Sequence, residues 1–231
     1  MQSDYAWKPC SKLASSKSEN IFYTGTPIRG ELGTLTRELA RAKLGIKKDE
    51  RLILSFGGSL GAARMNEAII DFMKKYSLNK KKIKHIHGCG AIYFKELEEQ
   101  YPKLANGVNG CQIVEYIDRM PLYMKAADLA ITRSGAITLS ELREAGTPSI
   151  LIPSPNVSDN HQLKNAEELS ALGGAVVITE DKLSCAELID TVGSIIESGP
   201  TLHKMRGALE RTKPINTGTI ISDVIKNALN K

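Results

Sequence analysis

Ser55-Phe56-Gly57-Gly58-Ser59-Leu60-Gly61-Ala62 stands directly after an apolar segment and directly before a long amphipathic one. Such a run is typical of the turn that joins a buried β-strand to an α-helix. Its glycines allow a sharp turn and a close approach of the backbone to a ligand. Free N–H groups at the start of the following helix, together with the Ser59 hydroxyl, are suited to hold a phosphate. The lysine of a P-loop is missing, and a tight turn without a ligand is the alternative interpretation.

The alternation of short apolar and longer amphipathic segments continues on both sides of this turn. The short apolar segments predict strands at 21–24, 51–56, 83–87, 112–116, 129–132, 149–152 and 175–179. Helical periodicity is present at 37–44, 62–76, 91–101, 120–126, 139–145, 160–172, 184–198 and 219–229. Strands that alternate with helices over short connections predict an α/β fold with a doubly wound, mainly parallel, Rossmann-like sheet. We expect a loose lead-in at 1–20, one domain at 21–212 and a C-terminal helix at 213–231.

The composition predicts an ordinary soluble globular chain. Its 231 residues are 42% hydrophobic and 25% charged, which suits a sizeable core and excludes disordered and collagen-like chains. No apolar segment reaches the roughly 20 residues of a membrane span, and the first residues lack the apolar region of a secretory signal. Only 5% of the residues are aromatic, so the net charge of +5 does not predict nucleic-acid binding. Scattered cysteines favour a reducing cytoplasmic compartment.

A second strand-to-helix turn carries polar groups at the edge where such sheets bind ligands. It reads Thr132-Arg133-Ser134-Gly135-Ala136-Ile137-Thr138-Leu139-Ser140-Glu141. The start of its helix offers backbone amides to a phosphate, and the Glu141 carboxylate can accept two hydrogen bonds from a ribose diol. A glutamate favoured only by the helix dipole is the alternative interpretation.

A third turn, at 153–166, follows the predicted strand 149–152. Asp159 or Asn160 is expected to cap the next helix. His161, Gln162 and Asn165 then present imidazole and amide groups from the first helical turn. Such a dense set of polar groups suits sugar hydroxyls, whereas a surface histidine is the alternative interpretation of His161.

His85, His87 and Cys89 alternate along one predicted strand, and alternation places them on one face. They are a candidate soft-metal site, but the missing fourth ligand and the expected burial of the strand favour a structural role. The chain also lacks the Asp-x-Asp pair with which many transferases hold a divalent ion. We therefore expect no metal and no required cofactor.

Three of these segments, in order, resemble the C-terminal half of the MurG family of peptidoglycan N-acetylglucosaminyltransferases. They are Gly57-Gly58-Ser59-Leu60-Gly61-Ala62, the segment 133–141, and Asn160-His161-Gln162-Leu163-Lys164-Asn165-Ala166. Thr24-Gly25-Thr26-Pro27-Ile28-Arg29 is also similar to the segment at the entrance to that half. The resemblance implies one half of an inverting glycosyltransferase of the GT-B architecture. Its donor would be UDP-N-acetylglucosamine, and the complete enzyme would convert lipid I to lipid II.

The resemblance also implies roles for individual residues. Arg29 and Ser59 would contact the diphosphate, and Ile117 would meet the uracil through its backbone. Glu141 would take the ribose hydroxyls, and Gln162 would bond to the sugar. The implied donor-binding residues are Arg29, Gly58, Ser59, Gly61, Ile117, Ser134, Gly135, Ala136, Ile137, Thr138, Leu139, Ser140, Glu141, His161 and Gln162.

In the family, a separate N-terminal half carries the acceptor site, a membrane-facing patch and the presumed general base. Residues 1–20 do not resemble that half, so we expect this chain to be a donor-binding half, either a truncated product or a subunit of a split enzyme. The implied partners are a UDP-sugar, an acceptor-binding half and, through that half, a lipid-linked acceptor at the inner face of the plasma membrane. A non-catalytic UDP-sugar-binding module, or another UDP-sugar glycosyltransferase or epimerase, is the alternative.

Overall fold

The computed structural model of the chain describes residues 25–58, 60–212 and 217–229. The predicted lead-in, the predicted strand 21–24 and Ser59 lie outside the described residues. The strands are β1 Arg51–Phe56, β2 Ile83–Gly88, β3 Cys111–Val114, β4 Leu129–Thr132, β5 Ser149–Leu151 and β6 Ala175–Val177. The helices are α1 Glu31–Thr34, α2 Arg37–Lys43, α3 Ala63–Lys75, α4 Ala91–Gln100, α5 Pro102–Ala105, α6 Met120–Ala126, α7 Ala136–Ala145, α8 His161–Ala171, α9 Cys185–Ile196, α10 Gly199–Arg211 and α11 Thr217–Leu229.

The described strands form one six-stranded sheet in the order β3-β2-β1-β4-β5-β6, and every pair of neighbours is parallel. This is the doubly wound order in which the chain reverses direction across the sheet between β1 and β4. The predicted fold class is confirmed. Ligands bind such sheets at the carboxyl ends of the strands beside that reversal, which places the glycine-rich turn after β1 at the expected position.

The two faces of the sheet are buried by different helices because alternate side chains of a strand point to opposite faces. In β1, Ile53 belongs to a core cluster with side chains of α3 and α9. Its neighbours Leu52 and Leu54 belong to a second cluster with side chains of α2 and α6. Helices therefore cover both faces, which is why the central strands β1, β4 and β5 are buried almost throughout rather than on one face only.

The main correction to the predicted elements is the helix α10, which the periodicity did not indicate. Its sequence contains Gly199, Pro200 and Gly207, and these lower the helix propensity of the segment. Ser198 caps it through a bond from the Thr201 N–H to its hydroxyl, and Pro200 lies in the first turn. A cap followed by proline was therefore the available signal. No helix of the described residues is both long and apolar enough to cross a membrane.

One buried carboxylate organises the amino-terminal edge of the sheet, opposite the glycine-rich turn. Asp128, 2% exposed, accepts bonds from Arg37 at 2.8 Å, from Arg41 at 3.0 Å and from the Leu52 N–H at 2.9 Å. Arg51 and Arg206 lie further from it, at 3.5 and 3.9 Å. Burial first, and then the neighbouring cation Arg37, lower the pKa of Arg206 to about 10. The cluster ties α2 and α10 to the start of β4.

Candidate functional site

A cavity of about 160 Å³ opens at the carboxyl ends of β1 and β2, beside the first turns of α6 and α7. Apolar side chains form much of its wall, and an ion pair lies at one side. The predicted residues that line it are Arg29, Gly58, Ile117, Ile137, Thr138 and Glu141. Residues from four separate parts of the sequence thus meet at the edge of the sheet where a ligand is expected.

Glu141 provides the buried charge of this cavity. It lies in α7 and is 4% exposed, and its Oε1 is 3.5 Å from the Nε of Arg29. Burial raises the pKa of the Glu141 carboxyl, and the nearby Arg29 guanidinium opposes that rise. The pair leaves the carboxylate with further lone pairs for hydroxyl donors, since a carboxylate accepts about four hydrogen bonds.

The apolar wall comes from the segment after β3. Ile117 is 3% exposed, whereas the neighbouring Tyr116 is 51% exposed at the mouth of the cavity. Gly88, the last residue of β2, has no side chain, and a Cβ there would lie 3.2 Å from the Ile117 side chain. The glycine thus lets Ile117 pack against the sheet and shape a narrow apolar slot, which suits a planar ring.

A wider cleft of about 640 Å³ adjoins the cavity and shares Phe56, Gly58 and Thr138 with it. Gly61, Gly135 and Gln162 are the further predicted residues that line this cleft. Two unpredicted charged groups lie in its floor as an ion pair, Arg133 Nη1 to Glu180 Oε2 at 2.5 Å. The Arg133 guanidinium also donates to the carbonyls of Ile152 and Pro153, which fixes the strand end after β5.

Side chains of α8 fasten the start of α7 in place. Gln162 Oε1 accepts from the N–H groups of Ser134 and Ser154, at 3.3 and 3.0 Å. The Ser134 hydroxyl donates to the Gln162 carbonyl at 2.7 Å, and Asn165 Nδ2 donates to the Ser134 carbonyl at 3.3 Å. The Gln162 side-chain oxygen thus accepts from backbone N–H groups, and the Nε2 group is the donor of the same amide.

Some predicted residues line neither the cavity nor the cleft. Leu139 is fully buried in the core, and the Ser140 hydroxyl donates to the Ala136 carbonyl. His161 is exposed, and its Nδ1 lies 2.9 Å from the Ser158 carbonyl. Asn160 is the N-cap residue of α8, one of the two expected positions, but its side chain makes no cap bond and its backbone is left-handed with φ 49°.

The sequence reasoning missed several lining residues because their signal is a position rather than a motif. Phe56 is the last residue of β1, and Met120 begins α6. Tyr93 reaches the cleft from the first turn of α4, and Glu180 reaches it from the turn that follows β6. Each lies at or just beyond the carboxyl end of a strand or at a helix start. Position at that edge was therefore the signal that could have found them.

Comparison with known families decides the identity of this fold. The sequence model described as "Glycosyltransferase family 28 C-terminal domain" matches residues 52–216. The chain belongs to this family. The match spans the turn after β1, Glu141 in α7, the pair Arg133 and Glu180, and the start of α8.

Curated relatives of this family 28 domain are named as N-acetylglucosamine transferases. A UDP-N-acetylglucosamine--N-acetylmuramyl-(pentapeptide) pyrophosphoryl-undecaprenol N-acetylglucosamine transferase of Acetivibrio thermocellus is 37% identical over 96% of this chain and 60% of its own length. The protein of the same name from Bacillus subtilis is 33% identical over 86% of this chain and 53% of its own length. The chain thus spans somewhat more than half the length of these relatives.

Solved structures confirm the fold. Acinetobacter baumannii MurG superposes with a TM-score of 0.67 at 22% identity, covering 90% of this chain and 58% of that one. A UDP co-structure of S. aureus MnaA superposes with a TM-score of 0.66 at 15% identity, covering 94% and 57%. At these identities the likeness concerns the architecture, which is that of one half of a GT-B glycosyltransferase.

The candidate metal face of the family 28 domain is a buried hydrogen-bonded group. His85 and His87 are fully buried, and both contact the Ser55 hydroxyl, at 2.8 and 2.9 Å. The Cys89 thiol is directed to the Val114 carbonyl. Within residues 25–58, 60–212 and 217–229, no three His, Cys, Asp or Glu side chains are grouped so as to hold a metal ion.

The two buried histidines predict a loss of stability in acid. Burial lowers the pKa of His87 from 6.5 to about 4 and that of His85 well below 6.5. The unfolded chain takes up these protons near pH 6.5, so stability is complete above that pH and falls as the pH drops toward 4. His87 alone is expected to lower the free energy of unfolding by about 3 kcal/mol once the pH is below 4.

Urea unfolding of the wild type at pH 7 and pH 4.5 measures this loss. The variant His203→Gln, which removes an exposed histidine, is the control and is expected to leave the slope of stability against pH unchanged. Equal free energies of unfolding at the two pH values would contradict the assignment of two neutral buried histidines.

Proposed function

We propose that this chain is the donor-binding half of a glycosyltransferase that moves N-acetylglucosamine from UDP-N-acetylglucosamine to lipid I, giving lipid II in peptidoglycan synthesis. The carrying observation is the cavity in which Arg29 and the buried Glu141 meet beside the apolar slot of Ile117. The apolar slot at Ile117 suits the base of a nucleotide, and the buried Glu141 carboxylate suits its ribose hydroxyls. The two helix starts suit its phosphates.

In this proposal the uracil lies against Ile117 and the ribose diol donates to Glu141. The amides at the start of α7, those of Ala136, Ile137 and Thr138, face the diphosphate together with Arg29. The turn after β1, including Gly58 and Gly61, approaches it from the other side, and the resemblance assigns a contact with the diphosphate to Ser59 as well. The sugar extends into the wider cleft, where the Nε2 group of Gln162 donates to a hydroxyl.

The chemistry asked of this half is stabilisation of the departing diphosphate. Inverting transfer breaks the bond between the sugar C1 and the phosphate oxygen while the acceptor hydroxyl attacks from the opposite face. Preorganised N–H groups and a guanidinium stabilise the charge that develops on the leaving oxygen. The general base and the lipid-linked acceptor would come from an acceptor-binding half, and the assembled enzyme would act at the cytoplasmic face of the membrane.

Calorimetric titration with UDP, UDP-N-acetylglucosamine, UDP-glucose and UDP-galactose tests the donor assignment. We expect saturable binding of all four through the shared UDP part, and the tightest binding for the N-acetylglucosamine donor. No saturable binding of UDP would overturn the proposal. Equal affinity for all the sugars would favour another UDP-sugar enzyme of the same architecture.

An assay with lipid I separates the enzyme from a binding module. The chain alone is expected to give no turnover, and turnover is expected when an acceptor-binding half is supplied. Donor binding without turnover in the presence of that half would favour a non-catalytic UDP-sugar-binding protein.

A further inference from the structure

A continuous line of buried polar side chains runs through the core to the glycine-rich turn. Ser77 Oγ contacts His85 Nδ1 at 3.0 Å, and His85 Nε2 contacts Ser55 Oγ at 2.8 Å. Ser55 Oγ contacts His87 Nδ1 at 2.9 Å, and His87 Nε2 lies 3.2 Å from Asn66 Oδ1. All five side chains are at most 2% exposed. We call them the buried relay.

With both histidine rings neutral, the last bond of the buried relay assigns a direction to each of the others. Asn66 Nδ2 donates to the backbone carbonyl of Cys89 at 2.9 Å, and a carbonyl can only accept. Asn66 Oδ1 must then accept from a protonated Nε2 of His87. In a neutral ring the Nδ1 of His87 is then unprotonated and accepts from the Ser55 hydroxyl at 2.9 Å, while the Ser55 backbone carbonyl lies further from it, at 3.3 Å. The Ser55 hydroxyl in turn accepts from Nε2–H of His85. The free Nδ1 of His85 accepts from Ser77.

The Cys89 carbonyl, at the end of the relay, is in contact with the glycine-rich turn at Gly61. Gly61 and Gly90 both have positive φ, of 80° and 88°. A Cβ on Gly61 would collide with the Cys89 carbonyl, and a Cβ on Gly90 would collide with the Gly61 backbone. The two turns, after β1 and after β2, are therefore in direct backbone contact, and Asn66 holds the carbonyl at that contact.

Asn66 is well placed for this role because it belongs to α3, the helix that begins directly after the glycine-rich turn. The helix α3 continues directly from the end of the turn. Through Asn66 the same helix also binds the Cys89 carbonyl, which contacts the turn at Gly61. Buried hydrogen-bonded networks of this kind rigidify the backbone to which they are attached when every member is satisfied.

We propose that Asn66 is a positioning residue, which through the Cys89 carbonyl sets the position of Gly61, in the turn after β1, against the donor diphosphate. The reference to the diphosphate rests on the proposed function, whereas the positioning of the turn does not. Ser77, at the opposite end of the relay, belongs to the same network but touches neither turn, and it serves as the matched control.

The tautomers of the wild-type protein give the first test. Nitrogen-15 NMR is expected to show both His85 and His87 as neutral rings protonated on Nε2. A ring of His87 protonated on Nδ1 would reverse the direction of the relay and overturn the proposal. This measurement requires no variant and no ligand.

Asn66→Ala and Ser77→Ala provide the second test. In Asn66→Ala, amide exchange at Gly61 and Gly90 is expected to accelerate about tenfold, since one buried bond is lost, and in Ser77→Ala it is expected to stay unchanged. UDP affinity is expected to fall about tenfold in Asn66→Ala with uridine affinity retained. Equal changes in both variants, or none in either, would contradict a positioning role. If the wild type binds no UDP, the proposed function fails while the exchange rates still decide the role of Asn66.

Discussion

Glu141→Ala is expected to weaken the binding of UDP about a hundredfold. The substitution removes the carboxylate that we assign to the ribose diol, and each charge-assisted bond to such a group contributes about 1.5–3 kcal/mol. It also leaves Arg29, which lies 3.5 Å from that carboxylate, without its partner in the cavity. Calorimetric titration with UDP and with uridine measures the effect, and both are expected to weaken because both carry the ribose.

Glu144→Ala is the matched control for this prediction. Glu144 lies in the same helix, α7, and does not line the cavity. Its removal is expected to leave UDP affinity within about twofold of the wild type, as surface changes away from a site usually do. Similar losses in the two variants would show that the helix, and not the Glu141 carboxylate, is responsible.

Asp128→Ala is expected to lower the free energy of unfolding by about 3–5 kcal/mol. Removing one partner of a buried ion pair leaves the other charge uncompensated, and here Arg37 and Arg41 both lose their carboxylate partner and keep only backbone carbonyl acceptors. The Leu52 N–H loses its partner as well. Urea unfolding near neutral pH measures the change.

Asp190→Ala, at an exposed position on α9, is the control and is expected to change stability by less than about 0.5 kcal/mol. Because Asp128 lies at the edge of the sheet opposite the cavity, folded Asp128→Ala is expected to keep the UDP affinity of the wild type. A stability within 1 kcal/mol of the wild type would show that solvent reaches the arginines and replaces the carboxylate.

The elements that carry the site were predicted best where two local signals coincide. For β1 and β4, an apolar run ends at a polar or glycine-rich turn, and the predicted and observed bounds agree. The helix α7 begins at Ala136 rather than at the predicted 139, because its periodicity starts later than its backbone bonds. The strand β3 ends at Val114, which frees Tyr116 to line the cavity.

The contacts that define the site were beyond local signals. Arg29 and Glu141 are far apart in sequence, and only the order of the strands brings them together. Arg133 belongs to the second of the quoted turns, but its ion pair with Glu180 could not be predicted, because Glu180 follows a different strand and stands in no motif. The buried relay was visible only as an alternation of His85 and His87. Its partners Ser77, Ser55 and Asn66 come from the segment after α3, from β1 and from α3 itself.

The central claim is that the cavity at the carboxyl ends of β1 and β2 holds the nucleoside of a UDP-sugar. A crystal structure of the chain with UDP tests it most directly. We predict the uracil against Ile117, the ribose hydroxyls within hydrogen-bonding distance of Glu141, and the diphosphate between the turn 57–62 and the start of α7. A UDP molecule bound outside this cavity, or no bound UDP at saturating concentration, would contradict the claim.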